Sequence, residues 1–422
     1  MRPLKVELSP PKVSPAQPCI VFLQEPGVST PIVNVLSLHT SPLAQPGAGD
    51  AGGMNVFVLQ SALALAATGS RVNIFTRSRA AWTRSPAPGV YVYGVPAGGD
   101  RHLSKEQLAE AVPDFAAALL SHADFDARAP LHSHYWLSGA AAALVRRRHP
   151  GPWVHTMHTT AARKHRHSPG VPLEQPRASA EASIAATANA LTANTPSDRE
   201  ELLSDFGLPP HRVSVVSPGI DTAVFTPEGE RAAWPLSCQG PRLLFAGRIQ
   251  PYKGPQVAIS ALGLLARHGI GGTLVLLGDR SGAGAQDPAA LAAAAGVGAR
   301  VLSLPPVPHT ELAAWYRSAD AVLMPSRHET YGLVAAEALA CGTPVFAHAV
   351  GGLRTLVNDG VDGRLLPDLD PVHWAEALAR LQHGAPLAWR SAAAETGAHR
   401  GWDATARLLQ ALYARLEQPR AA

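Results

Sequence analysis

Short apolar runs alternate with longer alanine-rich runs along the whole chain. In the first half VNVLSL (33–38) precedes NVFVLQSALALAATG (55–69), and in the second half TLVLLG (273–278) precedes PAALAAAAG (288–296). Strands that alternate with helices in this way are typical of βαβ units, in which helices cover both faces of a parallel sheet. The pattern predicts an α/β protein with Rossmann-like, doubly wound parallel sheets.

The chain length adds the number of domains to this picture. With 422 residues the protein is long enough for about two domains that each bury a core. Proline and glycine are frequent between residues 217 and 241, which marks the boundary. We expect a flexible extension at 1–30, a first domain at 31–220, a linker at 221–240, a second domain at 241–400, and a last helical segment at 401–422.

Charge and composition narrow the class of protein. The net charge is +4, and the basic clusters at 146–148 and 163–167 are typical of a helix end and an exposed loop, so we expect no nucleic-acid partner. No apolar run reaches the roughly twenty residues that span a bilayer, so we expect no membrane partner. Three cysteines without metal or redox spacing favour a reducing, cytoplasmic location.

Two glutamates mark the most informative segment, residues 325–357. An alanine-rich run is predicted to form a helix from near Tyr331 to the Cys341-Gly342-Thr343-Pro344 stop. Glu329 precedes this helix, and Glu337 is predicted to lie about two turns inside it. The first helical turn offers unpaired N–H groups to a diphosphate, and carboxylates accept hydrogen bonds from sugar hydroxyls. The segment therefore indicates a nucleotide-sugar site.

Two cations follow a predicted strand in the same half. LLFAGRIQPYKG (243–254) begins with an apolar strand that ends in Gly247, and Arg248 and Lys253 follow that strand. Ligands of open α/β sheets bind outside the carboxyl ends of the strands, so both cations are expected to face the same phosphates.

A glycine motif in the first half supports a competing interpretation. Residues 47–52 spell G-x-G-x-x-G between a strand and a helix, which alone suggests a dinucleotide site. Against it, eight residues intervene after the strand, and the next strand ends at Thr76 and Arg77 without an acidic residue for a ribose. Arg77 would suit an NADP phosphate, so an NADP oxidoreductase stays open as an alternative. We favour a glycine loop whose backbone approaches a diphosphate.

The set of Arg248, Lys253, Glu329 and Glu337 resembles the donor site of the retaining GT-B glycosyltransferases of family 4. Three further segments, 36–63, 132–139 and 155–159, resemble the members that transfer N-acetylglucosamine from UDP-GlcNAc to 1D-myo-inositol 3-phosphate, the first step of mycothiol biosynthesis. The likeness covers nearly the whole chain after about residue 31. It implies two domains facing each other across a cleft, with the last helix crossing back to the first domain.

The resemblance also implies roles for single residues. The implied donor-binding residues are His39, Gln45, Pro46, Gly53, Arg248, Lys253, Val307, Glu329 and Glu337. The implied acceptor-binding residues are Asp50, Ala51, Gly52, Gly53, Met54, Asn55, Lys105, Tyr135, Thr159 and Arg177. The implied catalytic residues are Arg248, Lys253, Glu329 and His158. The segment 160–176 is more basic than the family pattern, so the assignment of Arg177 rests on the helix that follows it.

Metal and partner expectations follow from the same resemblance. No catalytic metal is required, but a structural Mg²⁺ is implied at Tyr316, Arg317, Ala319 and Thr343, mostly through backbone carbonyls. The His-x-His pair at 132 and 134 would share one strand face, yet no carboxylate or cysteine with ligand spacing accompanies it, so we favour a substrate role there. We also expect a homodimer, although the sequence leaves the oligomeric state open.

Three other functions stay open from the sequence. A family-4 enzyme with another acceptor, such as a sucrose-phosphate-synthase-like enzyme, would keep the donor residues and differ at Lys105, Thr159 and Arg177. A catalytically inactive sugar-nucleotide-binding protein is disfavoured by the intact Lys253, Glu329 and Glu337. The third is the NADP oxidoreductase described above.

Overall fold

The computed structural model describes residues 30–47, 50–99, 103, 107–167, 172–234, 240–280 and 287–418. Its first half contains β1 (Ile32–Leu36), α1 (Gly53–Ala67), β2 (Arg71–Ser78), β3 (Trp82–Ala87), β4 (Val90–Pro96), α2 (Val112–Leu120), β5 (Leu131–His134), α3 (Tyr135–Val145), β6 (Trp153–Thr156), α4 (Ala161–Arg166), α5 (Gln175–Thr187), β7 (Ala190–Ala193), α6 (Pro196–Phe206) and β8 (Val213–Val215). Its second half contains β9 (Arg242–Ala246), α7 (Pro255–Arg267), β10 (Thr273–Leu277), α8 (Pro288–Ala294), β11 (Val301–Leu304), α9 (His309–Ser318), β12 (Ala321–Met324), α10 (Leu333–Ala340), β13 (Val345–His348), α11 (Leu353–Leu356), β14 (Gly363–Leu366), α12 (Pro371–Ala379), α13 (Leu387–Ala398) and α14 (Trp402–Glu417). Short 3₁₀ turns lie at Gln107–Ala111, Pro210–Arg212 and Gly298–Arg300.

Two separate sheets confirm the predicted doubly wound α/β architecture. The first has the order β3-β4-β2-β1-β5-β6-β7-β8 and is parallel except for the antiparallel edge strand β3. The second has the order β11-β10-β9-β12-β13-β14 and is parallel throughout. We call the parts of the chain built on these sheets the first and second domains. In the second sheet the central strands are largely apolar because helices cover both faces, and TLVLL of β10 is buried at every position. Strands β5 (LHSH) and β6 (WVHT) of the first sheet are equally buried but carry polar side chains.

The strand orders fix where a ligand can bind. In the first sheet the order reverses at β1, which pairs with β2 on one side and β5 on the other. In the second sheet β9 occupies the same position between β10 and β12. Crevices outside the carboxyl ends of such central strands are the usual ligand sites of open α/β sheets. The glycine loop follows β1, and Arg248 and Lys253 follow β9.

The last helix, α14, packs on the first domain. Trp402, Ala406, Leu409 and Tyr413 recur at helical spacing and are buried against α1 and the strands of the first sheet. The side chain of Thr405 donates to the Ser217 carbonyl at 2.8 Å. The chain therefore crosses between the domains twice.

The two crossing segments lie side by side. Ile220 forms a parallel bridge with Gly401 and donates to the Arg400 carbonyl at 2.7 Å. A side chain at Gly219 would meet the Trp402 backbone at 2.5 Å, so only glycine permits this approach. Phe225, inside the segment expected to be a linker, and Ile220, just before it, pack in the core of the second domain, so that core begins well before residue 241.

The structure also describes one of the three cysteines and bears on the expectation of no membrane-spanning segment. Cys341, at the end of α10, is buried and unpaired. Within the described ranges, no helix combines the length and apolar character needed to cross a membrane.

Truncating the buried face of α14 should destabilise the first domain. Leu409 is 0% exposed, whereas its neighbour Leu408 is 46% exposed. We expect Leu409→Ala to lower the free energy of unfolding by about 2–5 kcal/mol through the cavity that it leaves, measured by urea denaturation. Leu408→Ala is the control and should change it by less than about 0.5 kcal/mol. Equal effects of the two substitutions would contradict the packing of α14.

Candidate active site

A cleft of about 1390 Å³, counting its open mouth, lies where the carboxyl ends of the two sheets meet. Loops after β1 and β6 form its first-domain wall, and loops after β9, β11 and β12 form the opposite wall. The expected site residues that line it are Gln45, Pro46, Gly52, Gly53, Met54, His158, Arg248, Lys253, Val307, Glu329 and Glu337. The structure therefore brings the implied donor residues, except His39, together in one cleft.

Helix α10 presents its first turn to this cleft. Gly332 is its N-cap with φ of +105°, and a side chain there would meet Leu353 Cδ2 at 2.7 Å. The helix begins at Leu333, slightly later than predicted, so Glu337 lies about one turn inside and not two. The helix ends at Ala340, before Gly342, as the sequence indicated. Its unpaired first-turn N–H groups form an anion-binding surface.

Lys253 and Glu329 form an ion pair on the second-domain wall. The Lys253 ammonium donates to Oε1 of Glu329, and the Ser326 hydroxyl donates to the same oxygen at 3.0 Å. Both side chains are largely shielded from solvent. The pair fixes the Glu329 carboxylate while keeping the net charge of this wall low in the ligand-free protein.

Polar contacts cross the cleft and hold the two domains together. Arg248 lies 3.6 Å from the Asp50 carboxylate, and Gln45 donates to the Val307 carbonyl at 2.9 Å. Further along the same interface, the rings of His167 and His328 stack with their centroids 4.5 Å apart. The described structure is thus a closed arrangement in which both walls contact each other.

Glu337 is held from behind by a tyrosine. The Tyr316 hydroxyl on α9 donates to Glu337 Oε2 at 3.0 Å, and both side chains are buried. Burial raises the pKa of Glu337 to about 8, although the Tyr316 hydrogen bond acts in the opposite direction. No other hydrogen bond reaches this carboxyl among the residues that the structure describes. Its second oxygen is therefore left for a ligand.

Three buried histidines, His132, His134 and His155, lie behind the first-domain wall, and the half-buried His158 is part of that wall. His132 bonds the Tyr413 hydroxyl at 2.7 Å and the Thr156 hydroxyl at 2.8 Å, while His134 Nδ1 and His158 Nε2 are 3.0 Å apart. The Ser133 hydroxyl bonds His155 at 2.8 Å. Burial lowers the pKa of His158 to about 3, so its imidazole is neutral. In the described ranges, no group of three or more His, Cys, Asp or Glu is arranged to hold a metal ion.

Three of the implied acceptor residues, Tyr135, Thr159 and Arg177, form a second cluster beside the cleft. The Arg177 guanidinium lies 4.9 Å over the Tyr135 ring and donates to the Thr159 carbonyl at 2.8 Å. It also pairs with buried Glu181, with Nε to Oε1 at 2.7 Å. Glu181 had no signal in the sequence beyond its i, i+4 spacing from Arg177. The His39 ring packs against the Tyr135 ring at a tilt of 37° with the centroids 4.6 Å apart, so His39 belongs to this cluster.

Lys105, another implied acceptor residue, lies outside the described residues. Asn55 does not present its side chain to a ligand: Oδ1 accepts from the Gly52 amide at 3.0 Å, and Nδ2 donates to Thr40 and Ser41 at 2.9 and 2.7 Å. Ala51 is buried in the same turn. Asn55 therefore fixes the glycine loop at the start of α1.

The oxygens expected to bind magnesium do not fit a cation. The Tyr316 carbonyl accepts from the Thr343 hydroxyl at 2.6 Å. The Arg317 carbonyl accepts from Arg231 at 2.7 Å, and the Ala319 carbonyl accepts from Arg390 at 2.8 Å. Mg²⁺ demands free oxygen ligands in octahedral geometry, and two guanidinium groups at these oxygens would repel it. Tyr316 instead supports Glu337.

Comparisons with known proteins agree with this geometry. A family model described as Glycosyltransferase Family 4 matches residues 51–224, and one described as Glycosyl transferases group 1 matches residues 228–396. Two parallel-sheet domains with cations and carboxylates at a shared cleft define a GT-B glycosyltransferase. The chain belongs to the family-4 glycosyltransferases, and it is a glycosyltransferase.

Individual relatives extend over nearly the whole chain. A D-inositol 3-phosphate glycosyltransferase from Xylanimonas cellulosilytica is 43% identical over 94% of this chain and 100% of the relative. One from Mycolicibacterium paratuberculosis is 44% identical over 91% of this chain and 90% of the relative. The solved sucrose-phosphate synthase from Thermosynechococcus elongatus superimposes with a TM-score of 0.80 at 27% identity, over 92% of this chain and 99% of that one. The resemblance drawn from the sequence is confirmed, and the oxidoreductase interpretation of the glycine motif is set aside.

The raised pKa of Glu337 should appear as a pH-dependent stability. An unfolded glutamate titrates near pH 4.3, whereas the buried one titrates at about pH 8, so between these values the folded state binds more protons. Stability therefore falls as pH rises through this window, by up to about 1.4 kcal/mol per pH unit. We expect Glu337→Gln to remove this part of the slope, measured by urea denaturation of ligand-free protein from pH 5 to 8.5.

Glu395→Gln is the matched control, because Glu395 is an exposed helical glutamate in the same domain. It should leave the pH slope of the wild type unchanged. A Glu337→Gln slope identical to that of the wild type would show that the carboxyl does not titrate in this window.

Proposed function

We propose that the protein is a retaining glycosyltransferase that moves N-acetylglucosamine from UDP-GlcNAc to 1D-myo-inositol 3-phosphate, the first step of mycothiol biosynthesis. The observation that carries the proposal is the Lys253–Glu329 pair beside the first turn of α10, facing the glycine loop across one cleft. The names of the relatives supply the acceptor. The homodimer and the cytoplasmic location stay predictions.

The second-domain wall has the chemistry for the donor. The cations Arg248 and Lys253 and the first turn of α10 suit a diphosphate, because its charge attracts both guanidinium or ammonium groups and unpaired N–H groups. Glu329 is fixed by Lys253 and Ser326 in an orientation that accepts hydrogen bonds from sugar hydroxyls. Glu337, with one oxygen held by Tyr316, offers the other to the ribose.

The acceptor cluster suits a phosphorylated polyol. Arg177 contributes a guanidinium, which lies over the Tyr135 ring and donates to the Thr159 carbonyl, and both of these neighbours also carry a hydroxyl. Glu181 neutralises much of the Arg177 charge, so we assign to Arg177 the orientation of the cluster as well as contact with the phosphate. The remaining positive charge for a dianion is assigned to Lys105 from the sequence resemblance.

The proposed reaction proceeds without a protein nucleophile. The bond between the sugar C1 and the leaving diphosphate oxygen breaks while Arg248, Lys253 and the α10 amides stabilise the negative charge that grows there. An acceptor hydroxyl forms the new bond to C1 on the same face, and its proton goes to a leaving phosphate oxygen. His158 remains neutral because of its lowered pKa and acts as a hydrogen-bonding group beside the sugar.

A family-4 enzyme with another acceptor is the second candidate. The superposition on sucrose-phosphate synthase, at a TM-score of 0.80, favours fructose 6-phosphate as the competing acceptor to test. This alternative enzyme would use the same second-domain wall for its donor and would differ only in how the cluster of Tyr135, Thr159 and Arg177 binds the acceptor.

Release of UDP from UDP-GlcNAc tests the substrates directly. We expect release that depends on inositol 3-phosphate. Free inositol should be at least about tenfold less effective, because it lacks the phosphate, whose charge-assisted hydrogen bonds are worth more than about 1.4 kcal/mol. Fructose 6-phosphate keeps a phosphate but presents its hydroxyls on a different ring, so it should also be less effective. Release that depends on fructose 6-phosphate instead would support the second candidate. UDP binding without release for any of these acceptors would overturn the proposed acceptor and retain the donor site.

Lys253→Ala should remove stabilisation of the leaving diphosphate. We expect kcat to fall by about 10²–10³-fold, because a single preorganised charge at the site of developing charge contributes on this scale. Arg380→Ala, which removes an exposed cation from the same domain, is the control and should retain wild-type turnover. Unchanged turnover in Lys253→Ala would contradict the assigned role.

A further inference from the structure

His158 occupies a conformation that its sequence does not favour. Its φ of +58° lies in the left-handed region, which costs a non-glycine residue about 1–3 kcal/mol unless the surroundings hold it. The only other non-glycine residue with positive φ in the described ranges is Tyr135. His158 also lines the cleft, so the orientation of its ring decides how it meets a ligand there.

Interactions on the first domain hold the ring of His158. Its Nε2 bonds His134 Nδ1 at 3.0 Å, and the Phe57 ring meets it edge-on with centroids 5.6 Å apart. These contacts act on the imidazole ring, and neither of them acts on the peptide that follows it. The Thr159 amide donates to the Met157 carbonyl at 2.7 Å, which closes a tight turn around His158. The His158 carbonyl takes no part in this bond and accepts from a residue outside the turn.

The contact to that carbonyl comes from the second domain. Thr330 Oγ1 donates to the His158 carbonyl oxygen at 2.9 Å. Thr330 follows Glu329 directly and precedes the N-cap of α10 by two residues, so it is part of the loop that carries the ion-paired carboxylate. This hydrogen bond can form only when the two walls of the cleft are together.

We propose that Thr330 is a positioning residue whose hydroxyl couples closure of the cleft to the orientation of His158. When the walls meet, the hydroxyl restrains the His158 peptide in its left-handed conformation, and the imidazole is then held toward the donor sugar. When the walls part, the restraint is lost and the strained turn can relax. The catalytic consequence rests on the proposed function, whereas the restraint itself does not.

Two substitutions separate the hydroxyl from the shape of the side chain. Thr330→Val keeps the branched shape and removes the donor, while Thr330→Ser keeps the donor and removes the methyl group. We expect Thr330→Val to lower kcat about tenfold, equivalent to about 1.4 kcal/mol, with less than a twofold change in the KM for UDP-GlcNAc. Thr330→Ser should stay within about twofold of the wild type in both constants.

A structural measurement tests the restraint independently of activity. We expect faster amide hydrogen exchange in peptides covering residues 155–162 in Thr330→Val than in the wild type or Thr330→Ser, both without ligand and with UDP. Thr355→Val is the control, because Thr355 is exposed and its hydroxyl donates only to the nearby Gly352 carbonyl, at 2.8 Å. It should match the wild type in exchange and turnover.

The outcomes separate this inference from the proposed function. Equal exchange rates in Thr330→Val and Thr330→Ser, or equal losses of kcat, would overturn the coupling. Faster exchange in Thr330→Val alone, in a protein that transfers to a different acceptor, would support the coupling and reject the proposed acceptor.

Discussion

Parallel strand pairing is the constraint on which the site depends. In a parallel sheet all strands end at the same edge, so the residues after β1, β6, β9 and β12 are delivered to one place without any long loop. The two sheets face each other with these edges, and the cleft collects loops that are far apart in sequence. The paired crossings at Ile220 and Gly401 then join the domains at one side, so the walls can approach.

Charge in the ligand-free site is balanced pair by pair. Lys253 pairs with Glu329, Arg248 lies near Asp50, and Arg177 pairs with Glu181. An anionic ligand of this cleft therefore meets cations that already have a carboxylate neighbour instead of a bare positive field. A neutral ligand that displaced a carboxylate would leave a partly buried cation without a counter-charge, which is costly. The pairing thus disfavours neutral ligands at these positions and contributes to stability.

The sequence predicted the two sheets and the grouping of Arg248, Lys253, Glu329 and Glu337 on the second-domain wall of the cleft, since both depend on local signals. Apolar runs bounded by glycine and proline identify strands such as β9 and β12, and the cations and glutamates follow them immediately. The supporting contacts depend on tertiary structure and left no such signal. Tyr316 and Glu337 are 21 positions apart, and their hydrogen bond exists only because α9 packs beside α10. The magnesium expectation failed to fit because distant arginines already occupy its oxygens.

The left-handed backbone conformations of Tyr135 and His158 could not be predicted from local sequence signals. Tyr135 has φ of +68° and is both the residue after β5 and the first residue of α3, so no loop separates strand from helix. His158 makes the equivalent turn shortly after β6. A relaxed turn would need further residues and would carry the ring away from the sheet edge. A single left-handed residue reverses the chain at once and leaves its own side chain at that edge, where Arg177 meets Tyr135 and Thr330 meets the His158 backbone. Glycine would turn equally well without strain but would bring no ring, so the strain is the cost of placing a functional side chain at the turn itself.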